Sequence, residues 1–266
     1  MAVLTGQYHS MALHRQVSFA AVLPIDNVDE MGKRSYGSGP FPTLYLLHGY
    51  TGNYMDWLYH GSVASLASQY HTAIVLADGG NSFYLNNPNS TDDYADLIGS
   101  ELVNVTRRLF PLSEKREETW IGGLSMGGFG ALRNGLFYNK VFGAVVALSA
   151  ALITDEVAAM KPGSDNGVAP YAYYVHTFGE PSKVMSSDVS PKYMVRKRLS
   201  QGERLPRLFL ACGTEDFLFA ANQDMHSYLE QMHVAHEWLT HPGVHDFAFW
   251  NYALPIAMEW LWNKIQ

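Results

Sequence analysis

The sequence predicts an α/β fold in which a mainly parallel, twisted sheet carries helices on both faces. Three observations lead there. Short, almost wholly apolar runs recur at 43–47, 73–77, 119–124, 143–148 and 208–212, and such runs suit strands buried on both sides of a parallel sheet. Stretches of helical periodicity separate most of them, the alternation that βαβ units produce. The runs end in turns rich in glycine, aspartate and histidine, at the strand ends where ligands of such folds gather.

Each element has its own signal. Residues 14–23 place Val17, Phe19, Ala21 and Leu23 at alternate positions, the period of a half-buried strand. Pro24 ends it, and 26–42 is a polar connection with glycine and serine. A strand at 43–47 breaks at His48-Gly49-Tyr50-Thr51-Gly52-Asn53. A helix over 63–70 leads to a strand at 73–77, closed by Asp78-Gly79-Gly80. Asp92 and Asp93 are candidate caps for a helix to about 110, with Leu97, Leu102, Val105 and Leu109 at helical spacing and Pro111 beyond its end. A strand at 119–124, a helix at 127–138 and a strand at 143–148 follow. Over 149–205 the pattern loosens around Pro162, Pro170, Pro181 and Pro191. Regularity resumes with a strand at 208–212, a helix at 222–232, a strand at 236–239 and a helix at 247–260. The reading is a single domain, 1–266, with an antiparallel start to its sheet and 149–205 as an irregular cap insertion over the site.

Composition narrows the function. With 266 residues, 47% hydrophobic and 16% charged, the chain buries a substantial core without metal or disulfide support. A net charge of −7 argues against nucleic acid, whose phosphates need a cationic surface. Cys212 is the one cysteine, which excludes a disulfide framework and a thiolate zinc cluster. The longest apolar stretch, 141–153, falls short of the roughly 20 residues a membrane span needs. The first residues lack the basic-then-apolar pattern of a secretory signal, so a soluble, cytoplasmic protein is expected. No cofactor motif is present, and no H-E-x-x-H or other metal-ligand spacing is found.

The chemistry-bearing motif is Gly123-Leu124-Ser125-Met126-Gly127, a G-x-S-x-G between a strand and a helix. A turn this sharp strains its apex and crowds its neighbours, so flanking glycines let the Ser125 hydroxyl project into a cleft. Attack by serine creates an oxyanion, which needs two converging backbone donors. Met126 N–H is one, and Tyr50 N–H, in the loop after the 43–47 strand, is the other. An acid and then a histidine should follow later in the chain. Asp216, after the 208–212 strand, is preferred as the acid, with Glu215 as runner-up. His245, in the loop before the last helix, is preferred as the base over His241, which lies at the strand end. His48 is read as a loop-shaping histidine and Asp246 as a helix cap. Thus Ser125 attacks, His245 moves the proton, and Asp216 fixes its tautomer.

Together Leu46-Leu47-His48-Gly49, Asn53, Trp57, Gly122 to Gly128, Cys212-Gly213, Asp216-Phe217-Leu218 and the Gly243, His245, Phe247, Trp250 spacing resemble the putative-esterase family, which includes esterase D-like hydrolases and mycolyltransferases. The likeness runs from about Tyr8 to Trp260 and is greatest to the bacterial tributyrin esterases. Lys115-Arg116-Glu117, Phe178-Gly179 and Ser190-Pro191 share it. The resemblance implies an α/β-hydrolase fold, hydrolysis of acetyl to butyryl esters, with some members accepting acetylated sugars or hydroxycinnamoyl esters, and a homo-oligomer, dimer or tetramer. It supports Ser125, Asp216 and His245 as the triad and Tyr50 and Met126 as oxyanion donors. Tyr50 departs from the apolar residue usual at its position. S-formylglutathione hydrolysis, acyl transfer and a non-catalytic binding role are the alternatives.

Trp57, Phe83, Tyr84, Phe217, Tyr171 and Tyr174 are the aromatic candidates for binding a small-molecule ester, with Tyr173 and Phe178 beside them.

Overall fold

A computed structural model describes residues 1–28, 32, 34, 35, 37–87 and 89–263. Eight strands form one sheet: β1 (Ala2–Ser10), β2 (Arg15–Leu23), β5 (Thr43–Leu47), β6 (Ala73–Ala77), β7 (Thr119–Leu124), β8 (Ala144–Leu148), β9 (Arg207–Gly213) and β10 (His236–His241). Their spatial order is β1-β2-β6-β5-β7-β8-β9-β10. A separate two-stranded ladder pairs β3 (Asn27–Val28) with β4 (Arg34–Ser35) inside the 26–42 connection. Residues 29–31, 33 and 36 of that connection lie outside the described residues.

The sheet is antiparallel at β1-β2-β6 and parallel from β6 to β10, as the leading strands predict. Strand β1 has no counterpart in the sequence reading. It is an edge strand whose Val3 and Leu4 are exposed, so the hydrophobic alternation that marks a half-buried strand is missing from it.

Every residue of β5, β6, β7 and β8 is buried. Successive side chains alternate between two cores: Tyr45, Ile121, Val145 and Leu210 enter one, and Leu44, Trp120, Val146 and Phe209 the other. Each fully buried aliphatic side chain contributes about 1.5–3 kcal/mol, so the register of these strands is strongly fixed. The helices Val63–Gln69 and Phe247–Trp262 cover one face, and Met126–Phe137 the other.

The helix expected from 92 to 110 forms as Tyr94–Asp96, a π-helical turn Leu97–Glu101 and Leu102–Leu109. Asp93 stands at the N-cap position, but neither its side chain nor that of Asp92 makes the capping bond. Asn86 Oδ1 instead accepts from Ala95 N at 2.8 Å and Asp96 N at 3.1 Å, satisfying orphan donors of the first turn. Segment 149–205 carries no strand among its described residues, as expected, but holds four short helices: Thr154–Ala159, Tyr171–Phe178, Pro181–Val184 and Pro191–Ser200. Pro170, Pro181 and Pro191 sit at helix starts, where the missing N–H costs nothing, so they punctuate short helices rather than mark disorder, while Pro162 lies in a turn. Among the described residues no helix is long and apolar enough to cross a membrane.

Candidate active site

The strand order reverses about β5, which has β6 on one side and β7 on the other. The carboxyl ends of β5 and β7 therefore open a crevice at a topological switch point. Ser125 follows β7 with φ 56° and ψ −118°, a region that L-residues avoid at a cost of about 1–3 kcal/mol. The surroundings hold that turn in place. Ser125 N donates to Leu148 O at 2.9 Å, and Ser125 O accepts from Ala151 N and Phe129 N. Gly127 is obligatory here, because a Cβ on it would stand 2.5 Å from Leu47 O and 2.6 Å from His48 O.

The same close approach sets the loop after β5, where the oxyanion donor Tyr50 is expected. Gly49 packs directly on the elbow, with Leu124 Cδ1 2.7 Å from where a Cβ would stand. Tyr50 N–H follows within that loop. Met126 is the first residue of the Met126–Phe137 helix, so its N–H has no intrahelical carbonyl, and the helix dipole favours negative charge there. His48 is fully buried and shapes the loop: Nε2 accepts from Gly79 N at 2.9 Å and Nδ1 lies 2.7 Å from Gly49 O. Its ring is committed to backbone, as the sequence reading expects.

Asp216 and His245 come together from loops after β9 and β10. His245 Nδ1 lies 2.8 Å from Asp216 Oδ2, and Asp216 Oδ1 accepts from Leu218 N at 2.8 Å. Burial alone would raise the Asp216 carboxyl, but hydrogen bonds from His245 and Leu218 N–H, joined by Ser149, outweigh it and hold the group below its ordinary value. Phe217 lies against the His245 ring at 4.6 Å, and Trp250 meets it edge-on at 5.1 Å. His245 and Ser125 line one cavity of about 390 Å³.

The competing candidates sit elsewhere. Glu215 is exposed; its Oε2 accepts from Gly243 N at 2.6 Å, while its N donates to Gly243 O at 3.1 Å. It clamps the loop that carries His245. His241 Nδ1 is 2.7 Å from Pro242 O, and its ring lies 3.9 Å from Tyr252. Asp246 caps the last helix, accepting from Phe249 N. Cys212 is buried, and burial pushes its thiol up to about 12, so it is no nucleophile.

Of the aromatic candidates, Phe83, Phe217 and Tyr174 line the cavity, with Tyr50 and Tyr173. Trp57 and Tyr84 do not. Trp57 is 1% exposed and donates Nε1–H to Leu47 O at 3.0 Å. Tyr84 is wholly buried and donates to His48 O at 3.0 Å. Both rings serve the core and satisfy carbonyls of the β5 end and of the loop that follows it. Tyr171 is half-buried and off the cavity. Phe178 lies behind the wall, 4.8 Å from Phe83. The sequence reading missed Ala151, Ile153, Glu156, Asn166, Val168 and Leu218 as lining residues, and these complete the wall. Only the Asn166-Gly167 turn signal distinguishes that stretch. Among the described residues no group of three or more His, Cys, Asp or Glu side chains could hold a metal ion.

This sheet, elbow and crevice define the α/β-hydrolase class. Residues 10–261 match the putative esterase family. An acetyl esterase of Caldicellulosiruptor saccharolyticus is 39% identical over 98% of both chains. Among solved structures, the fluorophosphonate-binding serine hydrolase F of Staphylococcus aureus is 26% identical with a TM-score of 0.84, covering 98% of each chain. An S-formylglutathione hydrolase of the same organism is 27% identical with a TM-score of 0.82, again over 98% of each. The chain belongs to the putative esterase family and is a carboxylic ester hydrolase.

Proposed function

We propose that the protein is a serine carboxylesterase for short-chain acyl esters of uncharged alcohols, acting through an acyl-enzyme on Ser125. The observation that carries this is the shared cavity. Ser125 stands on a strained elbow, and His245 opens onto the same space with Asp216 on its far nitrogen. Ser125 Oγ attacks the ester carbonyl carbon while His245 Nε2 takes its proton, and Asp216 steadies the imidazolium. The oxyanion accepts hydrogen bonds from Met126 N–H and Tyr50 N–H; each such donor is worth on the order of 10²–10³ in turnover. Collapse breaks the bond to the alcohol oxygen, which leaves with the proton from His245. Water then repeats the sequence on the acyl-enzyme and releases the acid.

A small apolar wall of Phe83, Ala151, Ile153 and Leu218 suits a short acyl chain. One methylene too many costs only about 1–3 kcal/mol in lost contact, so selectivity against long chains rests on steric blocking. The one carboxylate lining the cavity is Glu156, and no Lys or Arg lines it among the described residues. An anionic thioester such as S-formylglutathione would find no counter-charge there, which favours neutral esters over that alternative.

Ser125→Ala tests the reading. Turnover of p-nitrophenyl acetate is expected to fall on the order of 10⁶-fold and fluorophosphonate labelling to vanish, with the circular dichroism spectrum unchanged. Near-normal turnover would refute it. Acetate, butyrate and S-formylglutathione assayed side by side would rank the substrates.

A further inference from the structure

The lining that disfavours anions has a second property. Five aromatic side chains, Tyr50, Phe83, Tyr173, Tyr174 and Phe217, line the catalytic cavity. Phe83 has a place in the acyl wall, but a short acyl chain leaves the three tyrosines unused. Their planes turn sharply from one to the next. Tyr50 meets Tyr173 at 5.8 Å with 73° between the rings, and Tyr173 meets Tyr174 at 5.2 Å with 78°. Rings set at such angles wrap around a space instead of stacking across it. Two of them are also fixed. The Tyr173 hydroxyl donates to Asn81 O at 2.6 Å, and the Tyr174 hydroxyl accepts from Asn166 Nδ2 at 2.9 Å.

Glu156 adds charge to this wall. It belongs to the helix Thr154–Ala159, lines the cavity and is exposed. Among the described residues it forms no ion pair, whereas Asp155 beside it faces Lys192 at 3.8 Å. Its field reaches the rings. Burial foremost, with the nearby Tyr50, Glu156 and Asp165, raises the Tyr174 hydroxyl above its ordinary value against the hydrogen bond from Asn166. The cation that the reaction itself makes here is the His245 imidazolium, and Asp216 Oδ2 at 2.8 Å offsets it.

We propose that the cavity also takes esters whose alcohol carries a quaternary ammonium, choline esters being the simplest. The inference rests on the esterase reading and extends its alcohols from uncharged to cationic. An aromatic face attracts a cation within about 6 Å of the ring centre. A quaternary ammonium has no N–H, so burial among rings strands no donor. A primary ammonium carries three donors, and the hydroxyls of Tyr173 and Tyr174 are already engaged. An anion meets the opposite, since Glu156 and the ring faces both repel it. In the reaction Ser125 Oγ bonds to the acyl carbon and choline leaves as the alcohol with the proton from His245. Water then frees the acid from Ser125.

The test compares kcat/KM for acetylcholine with that for its carbon isostere, in which tert-butyl replaces trimethylammonium, so that shape is held and charge alone changes. Each ring in reach of the cation contributes about two- to fivefold, and a preference for acetylcholine on the order of tenfold is expected. In Glu156→Gln and in Tyr50→Leu, which keeps the backbone N–H, the ratio of the two constants should fall about two- to fivefold. Tetramethylammonium should inhibit hydrolysis of the isostere by the unmodified enzyme competitively, a readout independent of variant folding. An isostere hydrolysed as well as acetylcholine, a ratio unmoved in both variants, or absence of inhibition overturns the cation site and leaves the esterase reading standing. Failure of the unmodified enzyme on both esters overturns the esterase reading and the cation site with it.

Discussion

Replacing Asp216 by asparagine isolates the role of one carboxylate. In the protein, Oδ1 accepts from Leu218 N and Oδ2 faces His245 Nδ1, both at 2.8 Å. Asparagine offers one acceptor and one donor. If its oxygen stays on Leu218 N–H, its NH₂ meets Nδ1, and the imidazole must carry its proton on Nε2, where it cannot accept from Ser125. If the amide flips, the tautomer is right but NH₂ faces Leu218 N–H in a buried site. Two stranded donors cost about 1–3 kcal/mol each, reducing the competent population by roughly 30-fold to 10⁴-fold. The charge opposite the imidazolium is lost as well. A fall in kcat of about 10³–10⁴ is therefore expected, comparable with the effect of this substitution in established Ser-His-Asp triads. Steady-state hydrolysis of p-nitrophenyl acetate measures it, with near-UV circular dichroism confirming the fold. A loss under tenfold in a folded variant would refute the assignment of Asp216.

Three further outcomes follow from the same geometry. Because the folded Asp216 carboxyl lies below its ordinary 3.8, it adds stability that is complete above that value and is lost as pH falls through the folded value; the urea-midpoint gap between the unmodified protein and Asp216→Asn should hold steady above pH 3.8 and shrink below it, and a gap that widens on acidification contradicts the hydrogen-bond account. Trp57→Phe strands the Leu47 carbonyl, so chemical denaturation should show a loss of about 1–3 kcal/mol with KM unchanged, whereas a raised KM would return Trp57 to the pocket. Phe217 is 77% exposed yet covers His245; Phe217→Ala should raise KM severalfold while stability moves by no more than about 0.5 kcal/mol, and kinetics matching the unmodified enzyme would show that the ring binds nothing.

Glu215 shows where adjacency in sequence misleads. It and Asp216 are both carboxylates after the same strand, and local spacing cannot say which one turns inward. The turn decides: Asp216 N donates to Gly213 O, while Glu215 pairs with Gly243 through backbone and side chain. The aromatic candidates show the same limit. Trp57, Tyr84 and Phe217 have equal claims as rings beside loops, yet two are buried against carbonyls and one lies over the imidazole. Burial of a ring depends on what packs across from it, which lies far away along the chain.

The sequence by itself determined the strands β5 to β9, the elbow and the order in which Ser125, Asp216 and His245 occur. Those features are written in local periodicity and in steric needs that only glycine meets, and both are properties of neighbouring residues. The tertiary structure alone decided that β1 closes the sheet, that Asn86 caps a helix begun eight residues later, and which residues of 149–205 meet Ser125 and His245 around one cavity, Ile153, Glu156, Asn166 and Val168 among them. Each of these joins groups distant in the chain, and such contacts leave no periodic trace in the sequence because the surface they share exists only after folding.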